Sequence, residues 1–141
     1  VVIHSSSSGG TQAGLIAGCA LFGLNPRIIG VSADGSSEGL AEIVNGLLDA
    51  VAEKLGAKRD TIDGGRAIEV DDTQVGEGYG IATPASIEAL ELTARHEGML
   101  LDPVYTAKAM AGLIALVRSG TFEERQVVLF WHTGGQVGYF A

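Results

Sequence analysis

The sequence predicts an α/β domain with a mostly parallel sheet, and two observations support this fold class. Short, continuous apolar runs that suit buried strands alternate with longer segments that carry helix boundary signals. Loops rich in glycine and hydroxyl residues follow the first and the last apolar run, where parallel sheets commonly bind ligands. No internal repeat, low-complexity tract or linker divides the chain, so we expect residues 1–141 to form a single domain.

The first half of the chain predicts three strands and two helices. The apolar run 1–4 is the first strand, and 11–23 is a helix that a glycine ends. A second short strand covers 27–31. A helix from about 38 to 55 follows, because its apolar residues recur at three- and four-residue steps. The third strand covers 67–70.

The second half predicts a long loop, two helices and a last strand. Thr83 can cap a helix that begins with Pro84, because proline fits the first helical turn. The residue before Pro103 avoids the helical region, which predicts an extended or turn segment there. In chain order these segments are the loop 71–83, the helix 84–97, the turn segment 102–105, the helix 106–119, the strand 127–131 and a small-residue loop 132–135.

Composition excludes several classes of protein. The chain is 46% hydrophobic and 18% charged, which argues against disorder. Its net charge of −8 argues against a nucleic-acid partner, and no apolar run approaches the roughly 20 residues that span a bilayer. The single cysteine, Cys19, excludes an intrachain disulfide and fits a cytoplasmic location. No two histidines have metal-ligand spacing, so we expect no bound metal.

Residues 5–14, with the sequence SSSSGGTQAG, predict a phosphate-binding loop. A strand, then small residues, then a helix start leaves free backbone N–H groups that the helix dipole aims at an anion. Glycines allow close approach, and hydroxyls add donors. The loop lacks the features of a Walker A or dinucleotide motif. The alternative is a turn that binds nothing.

Five other residues have a functional and a structural interpretation. His4 and His132 end strands, where a hydrogen-bonding role is more common than catalysis. Tyr79 and Tyr105 lie in loops, where tyrosines usually pack against a surface. Asp102 is expected to cap a helix or form a turn. Residues 5–10 and 132–135 are candidates for opposite walls of one pocket.

Four segments together resemble a known family. They are, in order, SGGTQAG at 8–14, GYG at 78–80, EGMLLDPVYTAKAM at 97–110 and HTGG at 132–135. The series resembles the C-terminal part of the pyridoxal-phosphate-dependent D-cysteine desulfhydrase and 1-aminocyclopropane-1-carboxylate deaminase family, of the tryptophan-synthase-β fold type. The resemblance implies a three-layer sandwich, the larger domain of a fold-type II enzyme, with pyridoxal phosphate as cofactor.

The resemblance also implies roles for individual residues. Tyr79 matches an aromatic near the pyridine ring and Tyr105 an active-site tyrosine beside the substrate, so both are candidate catalytic residues. The candidate cofactor-binding residues, of which the first four match the phosphate loop, are Ser8, Gly9, Gly10, Thr11, Thr106, Thr133 and Gly134.

Thr106 and Thr133 match the positions at which the two branches of the family differ. The deaminase branch has Glu and Leu there, whereas desulfhydrase-like members have small hydroxyl residues. A neutral threonine can leave the pyridine nitrogen unprotonated, and the weaker electron sink suffices to expel a thiol. The expected activity is β-elimination from a D-cysteine-like amino acid, giving pyruvate, ammonia and sulfide, in a homodimer. The alternative is an inactive module that binds a phosphorylated small molecule or a partner chain.

The chain departs from the family in its lysines. Lys54, Lys58 and Lys108 are the only lysines, and none matches the lysine that binds the cofactor covalently. The resemblance places that lysine in an N-terminal part outside these residues, so we expect no turnover by the chain alone. Residues 136–141 also differ from the usual ending of the family, and Ala107 replaces a common glycine.

Overall fold

A computed structural model describes residues 1–135; the divergent tail 136–141 lies outside the described residues. Within that range the chain forms four strands and five helices. The strands are β1 (Val2–Ser6), β2 (Ile28–Ser32), β3 (Glu69–Asp71) and β4 (Leu129–Trp131). The helices are α1 (Gly10–Leu21), α2 (Ser37–Leu55), α3 (Arg59–Asp63), α4 (Pro84–Glu97) and α5 (Thr106–Arg118).

The sheet has the strand order β3-β2-β1-β4, and every pairing is parallel. The predicted α/β class with a mostly parallel sheet is therefore confirmed. From β1 the chain moves outward through β2 to β3, and it then returns to place β4 on the other side of β1. The strand order reverses between β1 and β4. Ligands of open parallel sheets bind at such a point, beyond the carboxyl ends of the two strands.

Two apolar clusters on opposite faces of the sheet produce three layers. Val2 and Ile28 pack with α1, α2 and α3 on one face. Ile3 and Ile29 pack with α5 on the other face, and α4 packs against α5. Side chains alternate across a strand, so neighbouring residues of β1 supply both clusters. The three-layer sandwich implied by the resemblance is confirmed.

The structure differs from the predicted elements mainly at their ends. β1 continues through Ser6, because the first two serines of the loop still pair with β2. The strands β3 and β4 are each shorter than predicted. The short helix α3 was not predicted because five residues carry too little periodicity, yet its Ile62 is fully buried. No helix within residues 1–135 is long and apolar enough to span a bilayer.

Candidate functional site

A cavity of about 340 Å³ lies at the carboxyl ends of β1 and β4. The loop after β1 forms one wall and the loop after β4 forms the other. The hydroxyl oxygens of Ser5 and Thr133, one from each wall, are 3.0 Å apart. The lining residues are Ser5, Ser6, Ser7, Ser8, Gly9, Thr11, Asp102, Tyr105, Thr133, Gly134 and Gly135.

The N-terminus of α1 faces this cavity without a side-chain cap. Gly9 precedes the helix with a φ of 75°, and the first backbone bond runs from the Ala13 N–H to the Gly9 carbonyl at 2.9 Å. A Cβ on Gly9 would lie 3.0 Å from a methyl group of Val44 and 3.1 Å from one of Ile43, so α2 leaves room only for glycine. No acidic residue lies in the first turn. The free N–H groups and the helix dipole therefore suit an anion.

Hydroxyl groups surround this helix terminus. Ser8 and Thr11 are exposed to the cavity, whereas the Ser7 hydroxyl donates to the Asp34 carboxylate at 3.0 Å. The Ser6 hydroxyl is buried and has no hydrogen-bond partner within the described residues. An unpaired buried hydroxyl is costly, so its place in the lining fits a polar ligand. A phosphate-sized anion thus has donors from both backbone and side chains.

The Asp102 carboxylate organises the segment that enters α5. One oxygen accepts the backbone N–H groups of Val104 at 3.0 Å and Tyr105 at 2.7 Å. The other accepts the Thr106 N–H at 3.0 Å and the Thr106 hydroxyl at 2.6 Å. Burial alone would raise the pKa of the Asp102 carboxyl, but these bonds from Thr106, Tyr105 and Val104 outweigh burial and hold the pKa below its usual value.

Asp102 also lines the cavity, which the sequence did not predict. The structural role expected for this residue, forming a turn at a helix start, accounts for its hydrogen bonds. Its contact with the loop after β4 is additional: a Cβ on Gly135 would overlap the Asp102 carboxylate, and Gly135 has a φ of 94°. This juxtaposition depends on two segments that are distant in sequence, so no local pattern could have indicated it.

Of the two threonines that the resemblance assigns to branch-specific positions, only Thr133 lines the cavity. Thr106 is fully buried, and its hydroxyl donates to the Asp102 carboxylate and accepts the Asp102 N–H at 2.8 Å. Both hydrogen-bonding functions of the Thr106 hydroxyl are therefore used inside the chain. The candidate residue Gly134 lines the cavity, and Gly10 opens α1.

The candidate residues Tyr79 and Tyr105 form a pair at the mouth of the cavity. Their hydroxyls are hydrogen-bonded to each other, and their rings pack edge to face with 5.7 Å between the ring centroids. Tyr105 lines the cavity, whereas Tyr79 reaches it through this contact. The hydrogen bond with Tyr79, followed by burial, raises the pKa of Tyr105 to about 12. The Tyr105 phenol therefore keeps its proton at neutral pH.

Both histidines predicted at strand ends make hydrogen bonds to backbone groups, and His4 lies within β1 rather than at its end, because the strand continues to Ser6. His4 is fully buried, and its Nδ1 lies 2.8 Å from the Ser5 carbonyl. His132 accepts the Gly134 N–H at 3.1 Å, and its other ring nitrogen lies 3.1 Å from the Leu100 carbonyl. In residues 1–135, no group of three or more His, Cys, Asp or Glu side chains is placed to hold a metal ion.

Comparison with known proteins gives a family match that covers every residue lining the cavity except Gly135. The pattern of the pyridoxal-phosphate dependent enzymes matches residues 1–134. The chain is 40% identical over 134 residues to a 1-aminocyclopropane-1-carboxylate deaminase from Burkholderia cenocepacia. It is 37% identical over 134 residues to the enzyme of that name from Burkholderia vietnamiensis.

These alignments cover 95% of this chain but 39% of each deaminase, so the chain spans about two fifths of the relatives it matches. Among solved structures, the fold matches a crystal structure of an ACC deaminase homologue with a TM-score of 0.84. That match has 33% sequence identity and covers 97% of this chain and 40% of the other.

Proposed function

The chain belongs to the pyridoxal-phosphate-dependent enzymes, whose cofactor is pyridoxal phosphate, and from that premise we propose that it forms part of a lyase or deaminase acting on a small amino acid. The observation that carries the proposal is the cavity between β1 and β4, where a hydroxyl-rich loop leads into an uncapped helix terminus and Thr133 lies on the opposite wall. Because the family binds pyridoxal phosphate, the proposed ligand of that anion site is the phosphate of this cofactor.

The described residues fit this cofactor. The N–H groups after Gly9 and the hydroxyls of Ser8 and Thr11 would hold the phosphate of the cofactor. Tyr105 would lie beside the pyridine ring and the substrate. When bound, pyridoxal phosphate supplies an electron sink for the charge that develops on the amino acid. The hydrogen bond with Tyr79 and burial raise the pKa of Tyr105 to about 12, so its protonated phenol can donate a hydrogen bond to substrate or cofactor at neutral pH.

Elimination from a D-cysteine-like amino acid is the proposed reaction. It converts D-cysteine and water into pyruvate, ammonia and sulfide, with the carbon–sulfur bond broken and the proton on the α-carbon removed. Thr106 supports this choice, since the resemblance gives the deaminase branch a charged Glu there, and Thr133 supports it by placing a hydroxyl where that branch has Leu. The Thr106 hydroxyl is neutral and is hydrogen-bonded to the Asp102 carboxylate.

Deamination of 1-aminocyclopropane-1-carboxylate is the second candidate. The observation that favours it is the 40% identity with a protein that carries this activity in its name. The two reactions are easily separated, because both release ammonia but only the first releases sulfide.

The chain by itself is proposed to bind the cofactor without turnover. None of the three lysines, all within the described residues, lines the cavity. Lys54 and Lys58 are exposed near the end of α2, and Lys108 is fully buried. A module that only binds a phosphorylated molecule or a partner chain is the alternative for these 141 residues. Sustained sulfide release by the purified chain would contradict the proposal.

Cofactor binding can be followed with the single tryptophan, Trp131, which lies two residues before Thr133. We expect pyridoxal phosphate to quench its fluorescence in a saturable way. Ser8→Asp should weaken binding at least tenfold, because a carboxylate would face the phosphate. Ser119→Asp, at the far end of α5, is the matched control and should leave binding unchanged. Equal affinity in both variants would refute the assigned phosphate site.

A chimera tests the reaction. Residues 1–134 can replace the matched region of the Burkholderia cenocepacia deaminase, about three fifths of which lies outside the match. We expect the chimera to release sulfide from D-cysteine, and Thr106→Glu with Thr133→Leu to lower that activity. If the chimera instead releases ammonia from 1-aminocyclopropane-1-carboxylate and no sulfide, the second candidate is correct.

A further inference from the structure

Lys108 is a fully buried lysine on α5, one helical turn after Tyr105. Its Nζ donates three hydrogen bonds, all to backbone carbonyls. The acceptors are Ala33 at 3.0 Å, Val75 at 2.8 Å and Gly78 at 2.8 Å. An ammonium group has three N–H donors, so each is used.

Burying the Lys108 ammonium group costs free energy, because the group loses its hydration. Burial lowers the pKa of Lys108, and the charge of Asp34 only partly opposes that effect. Within residues 1–135, Lys108 forms no ion pair. A buried cation without a paired carboxylate depends on its hydrogen bonds for compensation. Here those bonds join α5 to the two segments that follow β2 and β3.

One of these segments is the glycine-rich loop 72–80, which carries Tyr79. The loop contains no helix or strand, and Gly76, Gly78 and Gly80 all have positive φ. Two backbone-to-backbone hydrogen bonds form turns in this loop. The Val75 N–H donates to the Asp72 carbonyl, and the Ile81 N–H donates to the Gly78 carbonyl. The carbonyl of Gly78, directly before Tyr79, is one of the three that Lys108 holds.

We propose that Lys108 is a positioning residue, which fixes the 72–80 loop against α5 so that the Tyr79 hydroxyl meets the Tyr105 hydroxyl at the mouth of the cavity. Tyr105 directly precedes α5 and Lys108 lies in the first turn of that helix, and the loop is bound at both residues. The link between the residues stands on these contacts alone. A catalytic purpose for the tyrosine pair rests on the proposed function.

The contact between the two tyrosine rings tests this link at pH 7 and without any cofactor. Tyr139→Phe, in the full chain, leaves Tyr79 and Tyr105 as the only tyrosines, so their labelled ring protons can be followed by NMR. The centroids of the two rings lie 5.7 Å apart, which is close enough for nuclear Overhauser effects between them. Lys108→Met should release the loop, and these effects should then be lost.

A matched control separates positioning from a general effect of losing a lysine. Lys54→Met, at an exposed site, should keep the effects between the two rings. The amide spectra of both variants show whether the domain is folded. Ring-to-ring effects that persist in a folded Lys108→Met would overturn the proposal.

A measurement on the unaltered chain covers the case in which Lys108→Met does not fold. With ¹⁵N-labelled lysine, the three carbonyl bonds should slow the exchange of the Lys108 ammonium protons with water. A distinct ammonium signal, absent for the exposed Lys54 and Lys58, is the expected result. If all three lysines exchange alike, Lys108 does not hold the loop. Either result is independent of whether the chain binds pyridoxal phosphate.

Discussion

The hydroxyl of Ser5 lies 3.0 Å from the hydroxyl of Thr133, although 128 residues separate them in the chain. Ser5 is near the end of β1, and Thr133 follows β4, which pairs with β1 in parallel. The hydrogen bond therefore joins the two walls of the candidate site. It is one of the few polar contacts that hold the loop after β4 in place.

We expect Ser5→Ala and Thr133→Val to be coupled. Each variant removes one partner of a partly buried hydrogen bond, so each should lower the free energy of unfolding by about 1 kcal/mol. The double variant should lose less than the sum, with a coupling of about 0.5–1.5 kcal/mol. Urea unfolding of the four proteins measures these values. Strict additivity would show that the hydroxyls do not interact in solution.

Gly9→Ala should destabilise the fold and weaken anion binding together. The substitution puts a methyl group against Val44 and forces a side chain into a φ of 75°. We expect a loss of about 1–3 kcal/mol in urea unfolding. Gly14→Ala is the control on the same helix, where a Cβ meets nothing within 4 Å. It should be neutral or stabilise by up to about 1 kcal/mol. Similar losses in both would contradict this account.

Asp102→Asn should cost about 2–3 kcal/mol at pH 7, since it removes a carboxylate that accepts four hydrogen bonds. The folded pKa of Asp102 is depressed, so its contribution is present above the unfolded pKa of about 4. That contribution is lost as the pH falls through the folded pKa. The difference between variant and wild type should therefore shrink below about pH 4, as measured by urea unfolding. A difference that is constant down to pH 2 would refute the assignment.

His4 predicts a second pH dependence, at a higher pH. Burial lowers the pKa of His4 in the folded chain, so the unfolded chain binds more protons as the pH falls below about 6.5. The stability of the wild type should decrease from pH 7 toward pH 5. His4→Asn should flatten this slope, whatever its effect at pH 7. A slope that persists in the variant would assign the effect to another group.

The sequence predicted the class of the fold because periodicity and helix boundaries are local signals. Gly9 and the residues around it indicated an anion site because the strand, loop and helix are contiguous. The second wall was also predicted, since carboxyl ends of parallel strands meet at one edge. The sequence did not predict the partners of Asp102 across the cavity or the carbonyls that Lys108 contacts. These contacts join segments that are tens of residues apart in the chain. A lysine inside an apolar helix face gives no signal of what its ammonium group contacts.

The reversal of strand order at β1 has a consequence for how the chain is made. β1 is synthesised first among the described strands and β4 last, and the cavity needs the loops that follow both. On the ribosome, the helix terminus of α1 can form early, but its facing wall emerges only after more than a hundred further residues. Contacts this distant in sequence form late in folding. A nascent chain would therefore complete the cavity only when β4 docks beside β1, long after the first wall can form.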